Sequence, residues 1–268
     1  MSAESVSWRM DLSLAPGACG YRPTLEGVFA SDSSVCDAVL ICPGGGYVMT
    51  AEHEKYPVAE AFARAGLHAF ILTYSVAPCR YPTQLLELAR ALRLVRSQSD
   101  KLRVNPSRIA VLGFSAGGHL AASLATLHGE SVIACQENAA ISARPDASIL
   151  CYPVISSGAW GHAESFQHLL GDQANGPLLK ELSLEHRVSK STPPTFLWHT
   201  ADDTVVPVEN SLLYAQALRS AGVSFELHCF ERGVHGLGLA TGEPGVLAWF
   251  DLCVRWLRGV GFRVGTSQ

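Results

Sequence analysis

Charge is scarce in this chain: Asp, Glu, Lys and Arg make up 16% of its 268 residues, against 48% hydrophobic residues. That balance excludes a disordered or fibrous protein and suits a compact body whose strands are buried on both faces. No basic cluster exists, and 20 Lys and Arg against 24 Asp and Glu leave a net charge of −4, so a nucleic-acid partner is not expected. Long apolar runs are missing too. No stretch reaches the about eighteen residues needed to cross a bilayer, and Met1 to Met10 has neither the basic start nor the apolar centre of a leader. The expectation is a soluble, cytoplasmic protein with no membrane partner.

Other absences narrow the chemistry. The eight cysteines form no C-x-x-C, are widely spread, and in part lie inside apolar runs such as Val39-Leu40-Ile41-Cys42; buried free thiols are expected. There is no G-x-x-x-x-G-K-[ST] and no G-x-G-x-x-G, so nothing marks a phosphate or dinucleotide cradle. H-E-x-x-H is absent: His53-Glu54 runs into Lys55-Tyr56-Pro57, with no second histidine at zinc spacing. No metal and no cofactor are implied.

What the chain does have is a repeated alternation of apolar runs with amphipathic stretches. Ala38 to Cys42, Leu67 to Tyr74, Arg108 to Gly113, Ala147 to Tyr152, Thr195 to His199 and Phe225 to Phe230 read as buried strands. Between and after them, Glu54 to Ala65, Thr83 to Gln98, Ala116 to Leu127, Val208 to Ala221 and Gly245 to Leu257 read as helices. Ser5 to Leu14 and Arg22 to Ala30 alternate weakly, as antiparallel edge strands do. This order predicts one α/β domain over residues 1–268 with a doubly wound, mostly parallel sheet and right-handed crossovers. Such a sheet binds ligands at the carboxyl ends of its strands. The exception is 153–194, rich in Ser, Gly and Pro, with short helical pieces around Ser165 to Leu170. A loop that long is usually functional, and a small cap insertion is expected there.

One motif sits where chemistry would. Gly113-Phe114-Ser115-Ala116-Gly117 falls where the apolar run Ile109-Ala110-Val111-Leu112 gives way to the helix that follows. A nucleophile elbow has this order, because flanking glycines relieve a strained turn that lifts the serine hydroxyl above the sheet. A serine hydroxyl needs a histidine base, and the base needs a carboxylate to fix its tautomer. After the strand ending at His199 comes Asp202-Asp203-Thr204-Val205-Val206-Pro207; after the strand ending at Phe230 comes Gly233-Val234-His235-Gly236. Of ten histidines, His235 alone has a glycine-flanked loop in the right place. Asp203 is the favoured acid and Asp202 the alternative; the non-catalytic reading is that the pair caps the helix beginning near Pro207. His199 is placed to line the acid loop. Oxyanion donors are expected from the backbone of Ala116 and of Gly45 and Gly46, in Pro43-Gly44-Gly45-Gly46-Tyr47, with Gly44 forming the turn.

Together with Thr73-Tyr74-Ser75-Val76-Ala77-Pro78, Tyr81-Pro82 and Thr192-Pro193-Pro194, these motifs resemble the α/β-hydrolase carboxylesterases. Within them, the chain is most similar to bacterial acetyl-xylan-esterase-like and feruloyl-esterase-like proteins, over about residues 37–258. Pro43 and Phe114 depart from the His-Gly-Gly-Gly loop and the elbow Asp of hormone-sensitive-lipase-like esterases, which separates the chain from that branch. The resemblance implies an α/β-hydrolase fold and a serine esterase cleaving a small-molecule ester of a short acyl group, acetyl on a sugar or xylan oligosaccharide first. Feruloyl esters and prolyl-oligopeptidase-like peptide cleavage are the enzymatic alternatives, and a hydrolase-fold binding protein the non-enzymatic one. Substrate contacts are expected at Tyr47, Tyr74 and Trp160; a homo-oligomer is left open.

Overall fold

The computed structural model describes residues 8–11, 19, 21–31, 34–134 and 138–265. Its eight strands are β1 (Trp8–Asp11), β2 (Thr24–Val28), β3 (Cys36–Cys42), β4 (His68–Thr73), β5 (Val104–Phe114), β6 (Ala147–Cys151), β7 (Thr195–Thr200) and β8 (Phe225–Phe230). They form one sheet in the order β1-β2-β4-β3-β5-β6-β7-β8. Only β1 with β2 and β2 with β4 pair antiparallel; every other pairing is parallel. The six parallel strands therefore share one carboxyl edge. The two weakly alternating N-terminal segments are short strands, with β2 inside the sheet and only β1 at its edge. The rest of Ser5 to Leu14 lies outside the described residues.

The helices are α1 (Tyr56–Arg64), α2 (Thr83–Ser97), α3 (Ser99–Leu102), α4 (Ser115–Leu127), α5 (Ser131–Ala134), α6 (Ala163–Leu170), α7 (Pro177–Glu181), α8 (Glu209–Ala221) and α9 (Trp249–Gly259). Two apolar layers flank the sheet. Leu85, Leu88 and Leu92 of α2, Leu120 and Leu124 of α4, and Tyr214 and Leu218 of α8 fill one face. Val58 and Phe62 of α1 with Trp249, Cys253 and Leu257 of α9 fill the other. Residues of β3 alternate between the two layers, Leu40 into the first and Val39 and Ile41 into the second. A strand buried on both faces has to be apolar throughout, which is why these strands read as continuous runs.

Several boundaries differ from expectation for local reasons. The predicted helix from Glu54 is split: Glu52–Glu54 is a 3-10 turn, and α1 starts afresh with Pro57 at its second position, where a missing N–H costs nothing. Strand β5 begins at Val104, and its register with β3 jumps between Cys36 and Ala38. Asn105 fills the irregularity by donating to Asp37 Oδ1 at 2.8 Å. The closing helix starts at Trp249 rather than Gly245, after a run of turns. Residues 153–194 carry α6, α7 and two 3-10 turns, Gly171–Asn175 and Leu184–His186.

The cysteine expectation needs correction. Cys36, Cys42, Cys151 and Cys253 are buried free thiols, but Cys229 is exposed, and Cys19 is disulfide-bonded to Cys79, 60 residues away. Cys135 lies outside the described residues. Nothing in sequence spacing could reveal that pair, because loops joined by tertiary folding set it. Among the described residues no helix is long and apolar enough to cross a membrane.

One buried carboxylate gives the fold a pH dependence. Glu87 of α2 is 1% exposed; its Oε2 accepts from Ser75 N–H at 2.7 Å, and Oε1 accepts the Ser75 hydroxyl. Burial outweighs both bonds and pushes its pKa from 4.5 to about 7. A raised carboxyl binds its proton more tightly in the native state. Its stabilising contribution is full below about 4.5 and lost as pH rises through about 7. We therefore expect Glu87→Gln to gain stability on wild type across that window, up to about 3 kcal/mol by pH 8. Urea unfolding of both proteins from pH 4.5 to 8 measures this, and a difference that stays flat with pH would refute it.

Candidate active site

The elbow is built by close approach. Ser115 stands between β5 and α4 at φ +52, a left-handed conformation that costs an L-residue about 1–2 kcal/mol. A Cβ at Gly113 would sit 2.0 Å from the Gly117 carbonyl oxygen, and one at Gly117 would sit 2.2 Å from that of Cys42. Both contacts involve backbone, which cannot step aside. The glycines let α4 press its first turn onto the end of β3, where Cys42 pairs with Gly113. The strand order turns back between β3 and β5, so this is the switch point at which doubly wound sheets leave a crevice.

Three loops meet there. His235 Nε2 lies 2.8 Å from Ser115 Oγ, and its Nδ1 lies 2.6 Å from Asp203 Oδ2. The other oxygen, Asp203 Oδ1, accepts the backbone N–H groups of Val205 at 2.9 Å and Val206 at 3.0 Å. Buried His199 adds a contact: Nε2 is 3.4 Å from Asp203 Oδ2 and 2.9 Å from the Val206 carbonyl, while Nδ1 meets Ser211 Oγ at 2.8 Å. Burial by itself would raise the Asp203 pKa. The hydrogen bonds from His199 and His235, the positive charge of a protonated His235 and the Val206 N–H outweigh it, holding the carboxyl well below the usual range. Asp202 does something else: its Oδ1 accepts Gly233 N–H at 2.8 Å, latching the histidine loop.

The glycine loop after β3 takes the left-handed conformation at Gly45 (φ +124) and Gly46 (φ +61). A Cβ at Gly45 would strike the Met49 carbonyl oxygen at 2.4 Å. Gly44 N–H is already engaged, donating to Glu54 Oε2 at 2.6 Å. The N–H groups of Gly45, Gly46 and Ala116 have no acceptor among the described residues, which leaves them free for a ligand. His168 of α6 reaches the Gly46 carbonyl at 2.9 Å through Nδ1, tying segment 153–194 to this loop.

Two of the expected substrate contacts need correction. Tyr47 is 1% exposed and Tyr74 0%, so neither offers surface to a ligand. The Tyr47 hydroxyl meets His119 Nδ1 at 2.9 Å, and the Tyr74 hydroxyl donates to the Pro43 carbonyl at 2.7 Å. Both brace the glycine loop from behind. His119 is buried with them, its Nε2 3.0 Å from the Leu182 carbonyl, and burial lowers its pKa to about 4, so it is neutral near pH 7. Trp160, by contrast, is 47% exposed. Buried Asn210 holds its loop by donating to the Trp160 carbonyl and accepting the N–H groups of Ile155 and Ser156.

Sequence reasoning missed Glu54 and Tyr152. Tyr152 follows β6 at φ +36, its ring centroid 4.9 Å from that of His235. Its hydroxyl donates to Glu54 Oε1 at 2.6 Å and accepts Gly238 N–H at 2.8 Å. For Tyr152 the only clue was its place at the active edge of the sheet; for Glu54 there was none. No cluster of three or more His, Cys, Asp or Glu fit to hold a metal occurs among the described residues.

Comparison with known proteins fits this geometry. The BD-FAE family model matches residues 29–218. Endo-1,4-beta-xylanase B of Butyrivibrio fibrisolvens is 39% identical over 228 residues, 84% of this chain but 36% of that protein. Acetylxylan esterase of Xylanibacter ruminicola is 30% identical over 230 residues, 84% of this chain and 44% of that protein. The chain thus spans less than half the length of these curated relatives. Among solved structures, an acetyl ester-xyloside bifunctional hydrolase from Caldicellulosiruptor lactoaceticus is 42% identical with a TM-score of 0.88, covering 95% of this chain and 97% of that one. With its eight-stranded sheet and the three loops that meet at its carboxyl edge, the chain belongs to the BD-FAE family of α/β-hydrolases and has the fold of the carboxylic ester hydrolases.

Proposed function

We propose that this protein is a serine carboxylesterase acting through an acyl-enzyme on short acyl esters, with acetylated sugars, xylan oligosaccharides among them, as its substrates. The observation that carries this reading is the unbroken line from Ser115 Oγ through His235 to Asp203, at 2.8 Å and 2.6 Å. His235 takes the Ser115 proton as the hydroxyl attacks the ester carbonyl, hands it to the leaving alcohol, and then activates water against the acyl-enzyme. Asp203 holds the imidazole in the tautomer with Nδ1 protonated. The N–H groups of Ala116, Gly45 and Gly46 receive the oxyanion, a contribution that mutagenesis elsewhere puts at about 100-fold or more per donor.

We expect a shallow acyl side. The apolar residues of α6, Phe166, Leu169 and Leu170, are 3%, 2% and 4% exposed. They are spent against the body of the domain, so α6 itself presents no apolar stripe to hold a long chain. The Tyr81 N–H to Leu169 carbonyl bond at 2.9 Å and the His168 contact with Gly46 hold this segment down. For the alcohol, we assign the exposed Trp160 as the flat face that a sugar ring would meet. Sugar esters also accord with relatives named xylanase and acetylxylan esterase. The xyloside activity in the name of the solved relative ordinarily uses two carboxylates flanking a glycosidic bond. Here Asp203 is engaged by His235 and two backbone N–H groups, and Glu54 by Gly44 and Tyr152. The proposal is therefore confined to esters.

Two measurements test it. Ser115→Ala and His235→Ala are each expected to lower kcat by several orders of magnitude, and Asp203→Asn severely. Asp202→Asn, which removes the charge but keeps an oxygen to accept Gly233 N–H, is expected to be much milder. A crippled Asp202 variant beside a nearly intact Asp203 variant would reverse the assignment of the acid. Across p-nitrophenyl esters, kcat/KM is expected to peak at acetyl or propionyl and to fall by about tenfold or more by octanoyl. A shallow pocket does not collect the about 0.8 kcal/mol that each buried methylene would supply. A maximum at eight carbons or longer would replace the esterase with a lipase.

A further inference from the structure

Glu54 is buried, charged in type, and outside the line of residues that carry the reaction. It is 2% exposed, and an ionised carboxylate in such a place is costly unless donors meet it. Two do, one on each oxygen: Gly44 N–H on Oε2 at 2.6 Å and the Tyr152 hydroxyl on Oε1 at 2.6 Å. Because the Tyr152 oxygen already accepts Gly238 N–H at 2.8 Å, its own proton is free to go to Glu54. The geometry calls for an acceptor at both carboxyl oxygens, which an ionised Glu supplies and a Gln does not. His53, the residue before it, adds a bond from Nε2 to the Gly236 carbonyl at 2.8 Å.

These bonds join two loops that share no strand. Gly44 opens the glycine loop after β3, and Gly236 and Gly238 follow His235 in the loop after β8. We propose that Glu54 is a positioning residue, setting the distance between the oxyanion donors and the catalytic histidine by holding Gly44 directly and Gly238 through Tyr152. By drawing back the Gly44 N–H, it turns the next two amides, Gly45 and Gly46, toward the oxyanion. Through Tyr152, whose ring packs edge-on against His235 at 4.9 Å between centroids, it fixes the plane of the imidazole. The inference rests on the esterase reading above. In that reading the ester is bound by other groups, so loss of Glu54 acts on the transition state rather than on ground-state binding.

The test uses Glu54→Gln and the isosteric Tyr152→Phe, singly and together, with p-nitrophenyl acetate. Each single variant is expected to lose about 10- to 100-fold in kcat, the scale of a misplacement of about 1 Å at a reacting centre, with KM changed less than threefold. Affinity for a boronic acid that mimics the tetrahedral intermediate is expected to fall by the same factor as kcat/KM. The double variant is expected to be no worse than the weaker single one, because both changes cut one network. If Glu54→Gln fails to fold, Tyr152→Phe carries the same expectations. A role confined to stability would lower the unfolding midpoint while leaving kcat per active site and boronate affinity unchanged, and that result overturns the proposal, as do losses that multiply in the double variant. Wild-type protein that neither hydrolyses the ester nor reacts with a fluorophosphonate at Ser115 overturns the esterase reading itself; a reactive wild type matched by Glu54→Gln overturns only the role of Glu54.

Discussion

The first turn of α4 lies against the last residues of β3 with no side chain between them, and the site depends on that contact. Gly117 meets the Cys42 and Pro43 carbonyl oxygens, where a Cβ would fall 2.2 Å and 2.4 Å away. This brings the glycine loop and the serine turn to the same side of the crevice. The strain at Ser115, left-handed at φ +52, persists because its neighbours over-determine it: β5 is paired on both sides, and the Ser115 carbonyl accepts Val154 N–H at 3.0 Å.

The histidine comes from the edge of the sheet and needs more fastening. Strand β8 is only partly buried along most of its length, and the loop beyond it carries an exposed Val234. Four side chains hold that loop from separate elements. Asp202 takes Gly233 N–H, Thr200 donates to the Gly233 carbonyl, His53 meets Gly236, and Tyr152 accepts from Gly238. Each bond is modest, about 1 kcal/mol net. Their value lies in direction, because in the proposed reaction His235 must be aimed closely at the Ser115 proton.

Several buried polar groups hold loops that lack secondary structure. Asn210, wholly buried, gathers Ile155, Ser156 and Trp160. Tyr47 and Tyr74 support the glycine loop from the core side. Glu87 holds Ser75 just after β4, and the cost of its burial is visible in its raised pKa. Apolar packing of α1, α2, α4, α8 and α9 sets the sheet; these polar contacts determine what its carboxyl edge presents.

Much of this was legible in the sequence, for a definable reason. Parallel strands buried on both faces must be apolar throughout, so β3, β4, β6, β7 and the second half of β5 announce themselves, and the helices between them carry their own period. Backbone close approach demands glycine, so Gly113, Gly117, Gly45 and Gly46 mark the serine turn and the glycine loop. Chain order then places the loops of Asp203 and His235 at the same edge. What only tertiary structure decided are the meetings of groups far apart in the chain. Glu54 with Tyr152 spans 98 residues, and Cys19 with Cys79 spans 60. The inward turn of Tyr47 and Tyr74 and the separate tasks of adjacent Asp202 and Asp203 belong with them. A local pattern records whether a residue is buried and how its backbone bends; which distant partner it meets depends on how the loops pack once the sheet has formed.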